Sequence, residues 1–376
     1  MRYFSILMLL YIFLTSALPA EDKRDVPHVR VALLRGLSKI SIEGKNLLIR
    51  DVWTYSSIFE AREFAGLKLE ANSGTIMLNN MESETNWVTV IPLSGIMNLN
   101  GKPFRGKAEV AVDTDGKLVV INELSLEDYL KGVINREISS AWEIDAVMAQ
   151  AIVARTYALY KKRDRTTRFY DLESSVLDQV YGGADTEDAR VRYAVENTEG
   201  MVLTYNGELI KPYYFSTCGG YTEDGNNVWG ESKPYLKMVR CKYCKNSPAF
   251  NWTQSIPLSK VESILRSAGF RLNGINSIRV LSQYESGRVK KLRISGKSGD
   301  ATLTGVDFRR IMGYDVIKST MFDVSIEGSS AVFNGRGSGH GVGLCQWGAK
   351  GMAEEGYNYK EILEHYFPGT TIRRWY

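Results

Sequence analysis

Ser125-Leu126-Glu127-Asp128-Tyr129-Leu130-Lys131-Gly132-Val133-Ile134-Asn135-Arg136-Glu137-Ile138 marks the point where the chain changes from a strand-like to a helix-like pattern. Ser125 and Asp128 have the spacing of a capping box, in which a side-chain oxygen takes up an otherwise unpaired N–H of the first turn. That spacing predicts a helix from Leu126 to about Ile138. Ser140 and Glu143 repeat it and open a longer helix to about Lys162. Ile144, Val147, Met148, Ala151 and Ile152, continued by Tyr157 and Ala158, recur at helical intervals. Two such boxes so close together define a helix–short loop–helix unit, with Glu137 in the last turn of its first helix.

Upstream, residues 28–122 read as β-structure. Val31 to Leu34, Ile40 to Ile42, Leu47 to Ile49, Thr75 to Leu78 and Trp87 to Pro92 are short apolar or alternating runs. Glu43-Gly44-Lys45-Asn46 reads as a turn between two of them. Asp115-Gly116 reads as the turn of a hairpin joining Val110–Val112 to Leu118–Ile121. Downstream, a third helix is expected over 185–200, ending at Gly200, with strands at Met201 to Tyr205 and Leu209 to Phe215. Residues 251–333 have the pattern of a smaller α/β insertion. It contains a helix near Ser259 to Ala268 and strands near Ile278 to Leu281, Val289 to Ile294 and Ala331 to Phe333. A glycine loop at 335–343 leads to helices at about Cys345 to Glu355 and Tyr359 to Tyr366. The expected fold class is α+β. A β-rich region (21–104) precedes a second domain (105–372) with a helical core, and the α/β insertion sits inside that domain.

Charged residues make up 24% of the 376, and the net charge of +4 is too small and too dispersed for a nucleic-acid-binding stripe. The densest basic run, Lys161-Lys162-Arg163 with Arg165 and Arg168, reads as a solvated helix end, where cations meet the negative pole of the helix dipole. Residues 1–20 read as a cleaved export signal. Arg2 is the basic start, Phe4 to Leu14 is apolar, and Thr15 to Ala20 offers small residues for cleavage. No cysteine lies there to carry a lipid, and no later segment is long and apolar enough to span a bilayer. The expected location is periplasmic or cell-wall associated.

The helix–loop–helix segment is joined by Gln179-Val180-Tyr181-Gly182-Gly183, Ser216-Thr217-Cys218-Gly219-Gly220 and Gly339-His340-Gly341-Val342-Gly343-Leu344-Cys345-Gln346-Trp347-Gly348-Ala349. In that order, over roughly residues 105–372, these motifs resemble the SpoIID/LytB family. The resemblance implies a lytic transglycosylase that cleaves peptidoglycan glycan strands after N-acetylmuramic acid, leaving a 1,6-anhydro end. Sporulation members of the family are similar in preferring strands stripped of peptides. The family's catalytic glutamate falls on Glu137. One acid/base is enough for such a reaction, because the sugar's own 6-hydroxyl is the nucleophile. Hydrolysis would normally require two carboxylates. A helix C-terminus and the flanking Ile134 and Ile138 would both raise the pKa of Glu137. The bland alternative is a solvated glutamate in a surface turn.

His340 is expected beside Glu137, binding sugar or polarising a leaving group. Gln346, Gln179, Tyr181, Ser216 and Thr217 are further candidates for the glycan groove. A core histidine bonded to its neighbours is the alternative for His340, and Trp347 reads as core. Many relatives carry His-Cys before the Gln-Val-Tyr motif and His before Ser-Thr-Cys, where this chain has Leu177-Asp178 and Phe215.

Cys218, Cys241, Cys244 and Cys345 allow two readings. A CxxC knuckle with two distant cysteines suits a closed structural Zn²⁺ site, in which His340 could replace one ligand. An even count in an exported chain suits disulfides. No organic cofactor is implied. The LytB branch of the resemblance implies a second class of function, a non-catalytic glycan-binding protein that stimulates a cell-wall amidase. A zinc hydrolase is disfavoured because no HExxH or comparable open ligand set is present.

Overall fold

The computed structural model describes residues 25–164, 169–175 and 178–376. The signal reading at 1–20, and Arg165, Arg168 and Leu177, lie outside the described residues.

Residues 28–125, with Leu172–Glu173, build an eleven-stranded sheet. Its ladders are antiparallel except for the short parallel addition of Leu172–Glu173 to His28–Leu37. Alternating residues such as Ile40, Ile42, Leu47, Ile49, Val88 and Val90 point to one buried face. The Glu43–Asn46 turn is not formed. Lys39–Asp51 is one continuous strand, and the irregularity is absorbed by a register shift between Lys45 and Leu47 at Asn46, with φ +55°. A bulge bends a strand without ending it. The Asp115-Gly116 hairpin forms as expected, pairing Val112 with Leu118.

Eight α-helices lie among the described residues: α1 (Leu126–Glu137), α2 (Ile144–Asp164), α3 (Ala189–Asn197), α4 (Gly225–Trp229), α5 (Leu258–Ser267), α6 (Gly305–Met312), α7 (Gln346–Glu354) and α8 (Tyr359–Tyr366). Ser125 caps α1, its Oγ accepting from the Asp128 N–H at 3.1 Å. The second box is not used. The Ser140 N–H donates to Asn135 Oδ1 at 3.1 Å, and α2 starts only after Glu143, whose carbonyl accepts from Ala146 and Val147. The Asn135 amide spans the α1–α2 turn and also donates to Thr186 O and Asp188, so a tertiary contact sets that turn.

Helix α2 is buried nearly all round, because two cores meet on it. Val147, Ala151, Ala154 and Ala158 pack with the large sheet, α1 and α3. Ala146, Ala149, Ile152 and Val153 pack with α7, α8 and the four cysteines. Arg155, on the same helix, is fully buried. It forms a two-pronged ion pair with Glu127 at 2.7 Å and 2.7 Å and donates to the carbonyls of Val195 and Met201. Tyr376 also bonds Glu127, so one network ties α1, α2, α3 and the chain's last residue together. The expected insertion is a third body of packing. Strands from Asn251–Pro257 to Ser330–Arg336 and helices α5 and α6 close over their own core of Val261, Leu265, Leu292, Phe308 and Phe333. Helix α6 had no sequence counterpart. It is eight residues long and capped by Thr304, whose side chain accepts from the Asp307 N–H.

Candidate active site

Glu137 is placed by the close approach of residues 180–183 to α1. Gly132 allows it: a Cβ there would lie 2.4 Å from the Tyr181 ring. The Gly182 N–H donates to Gly132 O at 2.9 Å, and the Val180 N–H then reaches Glu137 Oε1 at 3.1 Å. Glu137 opens onto a cavity of about 640 Å³, lined also by Asp178, Tyr214, Ser216, Trp229, Arg309, Tyr314, His340 and Gln346.

Burial pushes the Glu137 pKa above the ordinary carboxyl value. The Val180 N–H, the nearby Tyr214 hydroxyl and the Arg136 charge oppose this and only partly offset it. Tyr214 Oη is buried and faces Glu137 and Gln179 without completing a hydrogen bond to either. The other carboxylate in the cavity, Asp178, is in a different condition. Burial works against its charge, but Lys161 at 2.9 Å, the Glu173 N–H and the Tyr157 hydroxyl hold its pKa below the usual value. The cavity therefore presents one carboxyl suited to carry a proton and one held ionised. A larger hollow of about 830 Å³ lies in the N-terminal sheet beside Trp53 and Glu84. Its buried acid, Asp51, is held low by the Thr85 hydroxyl and the Thr54 N–H, so it offers no comparable proton donor.

Four of the residues expected in the groove line the cavity: Glu137, Ser216, His340 and Gln346. Tyr181, Gln179 and Thr217 do not, and the reason is packing. Tyr181 lies between Phe104 and Tyr129 and donates to Asn122 Oδ1 at 3.2 Å. Gln179 accepts from the Tyr129 hydroxyl and donates to Ala154 O. Thr217 bonds Ser247 at 2.6 Å and is wholly buried. The role expected of His340 also changes. Its Nδ1 accepts from the Val342 N–H at 3.1 Å and its Nε2 meets Tyr214 O at 3.0 Å, so neither nitrogen remains for a sugar or a metal. Burial, reinforced by Arg309 and Arg288, takes its pKa down to about 3. A neutral imidazole holding the Tyr214 backbone is a positioning group. The sequence reading missed Tyr214, the Val180 N–H, Trp229, Arg309 and Tyr314. Only Tyr214, two residues before the Ser216 motif, had a usable signal.

The four cysteines converge. Cys218, Cys241, Cys244 and Cys345 are buried, their sulfurs all within 4.8 Å of one another. A tetrahedral Zn–thiolate site has Zn–S near 2.3 Å, and hence S···S edges of about 3.8 Å. Two disulfides would call for two separate pairs. The surroundings also suit thiolates. Cys218 N–H and Gly348 N–H both donate to Cys345 Sγ, Gly220 N–H donates to Cys218 Sγ, and Tyr366 Oη lies 3.2 Å from Cys241 Sγ. Hydrogen bonds from the other three thiols push Cys244 far down, while Cys218 and Cys345 are pushed up. Without a cation the cluster thus cannot ionise throughout. The residues present fit a closed four-sulfur metal centre.

A family model described as Stage II sporulation protein (SpoIID) matches residues 114–205, which hold both Glu137 and the Val180 segment. Stage II sporulation protein D of Bacillus subtilis (strain 168) is 30% identical over 67% of this chain and 75% of its own length. The chain belongs to the SpoIID/LytB family. An uncharacterized protein of Brachyspira hyodysenteriae (strain ATCC 49526 / WA1) is 34% identical over 73% of each chain. The amidase enhancer of Bacillus subtilis (strain 168) is 31% identical over 89% of this chain, which spans only about half (53%) of that protein. A second family model, for a domain of unknown function, matches residues 236–343, covering the insertion and the knuckle before it. No helix of the described residues is long and apolar enough to cross a membrane.

Proposed function

We propose that the chain is an exported peptidoglycan lytic transglycosylase with Glu137 as its single acid/base. The observation that carries this reading is the pairing of one carboxyl whose pKa burial raises with a second, Asp178, tied to Lys161. Protonated Glu137 gives its proton to the oxygen linking muramic acid to the next sugar, and the C1–O bond breaks. The Glu137 carboxylate then takes the proton of the sugar's own O6–H as O6 bonds to C1. Glu137 ends protonated, as it began, and no water is consumed. The Tyr214 hydroxyl faces Glu137 and favours its charged form, an interaction the neutral acid does not need. The ring of Trp229, stacked on Tyr213 with centroids 4.2 Å apart, and the exposed Tyr314 offer flat faces to sugars.

The four-cysteine centre would hold zinc as a closed structural site, keeping Ser216 and Gln346 in register on either side of it. With four protein ligands it has no open position for chemistry.

The test is mass spectrometry of peptide-free and intact glycan strands incubated with wild type and with Glu137→Gln. Anhydro-muramyl ends with wild type alone, and a loss of about 10²–10⁴-fold in the variant, are expected. Reducing ends would point instead to hydrolysis with a second carboxylate. The likeness to an amidase enhancer over 89% of the chain favours one other reading, a glycan-binding partner of a cell-wall amidase. Absence of cleavage, with amidase stimulation retained by Glu137→Gln, would establish that reading.

A further inference from the structure

We propose that Arg309, from helix α6 of the insertion, binds a carboxylate of the glycan strand and so selects muramyl strands over uncharged aminosugar polymers. The proposal rests on the glycan reading above and gives the insertion a part in it.

Two arginines follow one another on α6 and are used differently. Arg310 is exposed and pairs with Asp307 of its own helix at 3.0 Å. Arg309 is half-buried and lines the cavity that holds Glu137. Its Nε donates to Ile317 O at 2.9 Å, and its Cζ lies over the Tyr314 ring, 4.6 Å from the centroid. These contacts fix the stem and one edge of the guanidinium. Among the described residues, Nη1 and Nη2 have no hydrogen-bond acceptor, and no carboxylate lies within salt-bridge distance of them. Unlike Nη1 of Arg288, neither is sealed from solvent. Asp315, an exposed neighbour, acts on Arg309 only through space. Burial takes the Arg309 pKa down to about 10, so the group stays charged at neutral pH.

The other ionisable groups of the cavity are accounted for. Asp178 is held by Lys161 at 2.9 Å. Glu137 is the carboxyl suited to keep a proton, and His340 is neutral with its pKa near about 3. Arg309 is the remaining charge on the lining, with its two outer nitrogens free. An uncharged sugar chain entering the cavity would strip water from that cation and give it no partner, which is costly. A carboxylate would meet Nη1 and Nη2 with charge-assisted, parallel N–H···O bonds, the arrangement for which a guanidinium is shaped.

A muramyl strand offers such a group in two places. The lactyl ether of muramic acid ends in a free carboxylate where the stem peptide has been removed, and the stem peptide carries its own where it is present. Arg309 also lies outside the 114–205 segment that holds Glu137, within the 236–343 match to a domain of unknown function. The proton donor and the anion-reading cation thus come from separate parts of the chain that meet across one cavity.

Binding of defined strands to Glu137→Gln, which keeps them uncut, and to Glu137→Gln combined with Arg309→Met tests this. The probes are peptide-free muramyl strands, the same strands with their carboxyls converted to neutral methylamides, and intact strands. With Arg309 present, affinity for methylamide strands is expected to fall about 10–100-fold below that for free carboxylates. Arg309→Met should remove that preference by weakening only the carboxylate strands. Arg309→Lys should recover part of it, since it keeps the charge and loses the planar fork. An Arg309→Met effect confined to peptide-free strands assigns the lactyl carboxylate, and one confined to intact strands assigns a stem-peptide carboxylate. Equal losses on carboxylate and methylamide strands would make Arg309 a wall residue only and overturn the proposal. If Arg309→Met does not fold, the protein with Arg309 decides alone, and no preference for carboxylate over methylamide overturns the proposal. Because binding is read directly, a wild type that yields no anhydro ends overturns the cleavage reading and leaves this one standing. A protein that binds no strand overturns both.

Discussion

The helical centre around Arg155 and the cysteine lobe around Arg288 bury the same side chain in opposite ways. In the helical centre the chain supplies partners for buried charges: Glu127 for Arg155 and Lys161 for Asp178. In the cysteine lobe, four thiols crowd together and a guanidinium leaves two nitrogens unbonded. A region whose electrostatics close on themselves can fold from its own sequence. A region left with such groups is where the proposed metal would supply, from outside the sequence, what the chain does not.

Removing that outside component gives the largest expected effect. Chelation, or Cys241→Ser, should abolish cooperative unfolding of the lobe formed by residues 213–250 and 337–367. The loss should approach the roughly 10 kcal/mol scale on which structural zinc supports small domains. Calorimetry with and without chelator measures it, and an unchanged transition would erase the contrast between the two regions. Next in size is Glu127→Ala, which leaves Arg155 buried and unpaired in the region that otherwise closes on itself. It should cost about 3–5 kcal/mol in denaturant titration, whether or not metal is present.

The smallest effect concerns Glu137 itself. Its folded-state pKa is raised by burial, so between the unfolded and folded values the native state holds a proton that the unfolded chain has lost. The stability linked to that proton is fully present below the unfolded carboxyl pKa and is lost as pH rises through the folded one. Glu137→Gln should therefore equal wild type in stability at low pH and exceed it at neutral pH. Unfolding curves across this window check the sign, and a variant less stable than wild type at neutral pH would show that the carboxylate is well solvated.

The two regions also differed in how far they could be read from sequence. Helix α1 with its Ser125 cap, helix α8, the 201–205 strand and the position of Glu137 at a helix end follow from local signals that act within a few residues. The Ser140 box failed because Asn135, held by Thr186 and Asp188, had already claimed its N–H. Tyr181 and Gln179 sit in a motif yet point into the core, because the face a short segment presents depends on what packs behind it. His340 lies at the cavity with both of its nitrogens engaged by the backbone of Val342 and Tyr214, contacts that residue type and spacing do not reveal.

Residue type and spacing were enough to determine the fold class, the helix that ends at Glu137, the family, and the four cysteines as a set. Capping and periodicity, properties of neighbours along the chain, give the fold class and the helix, while the family comes from the resemblance of the motifs. Only the tertiary structure decided which carboxyl is able to hold a proton, that the sulfurs meet at one point, and that an arginine from the insertion lies beside them. Burial, pKa and charge compensation depend on groups brought together from 28 residues apart, as for Glu127 and Arg155, to 127 apart, as for Cys218 and Cys345, and no local pattern encodes them.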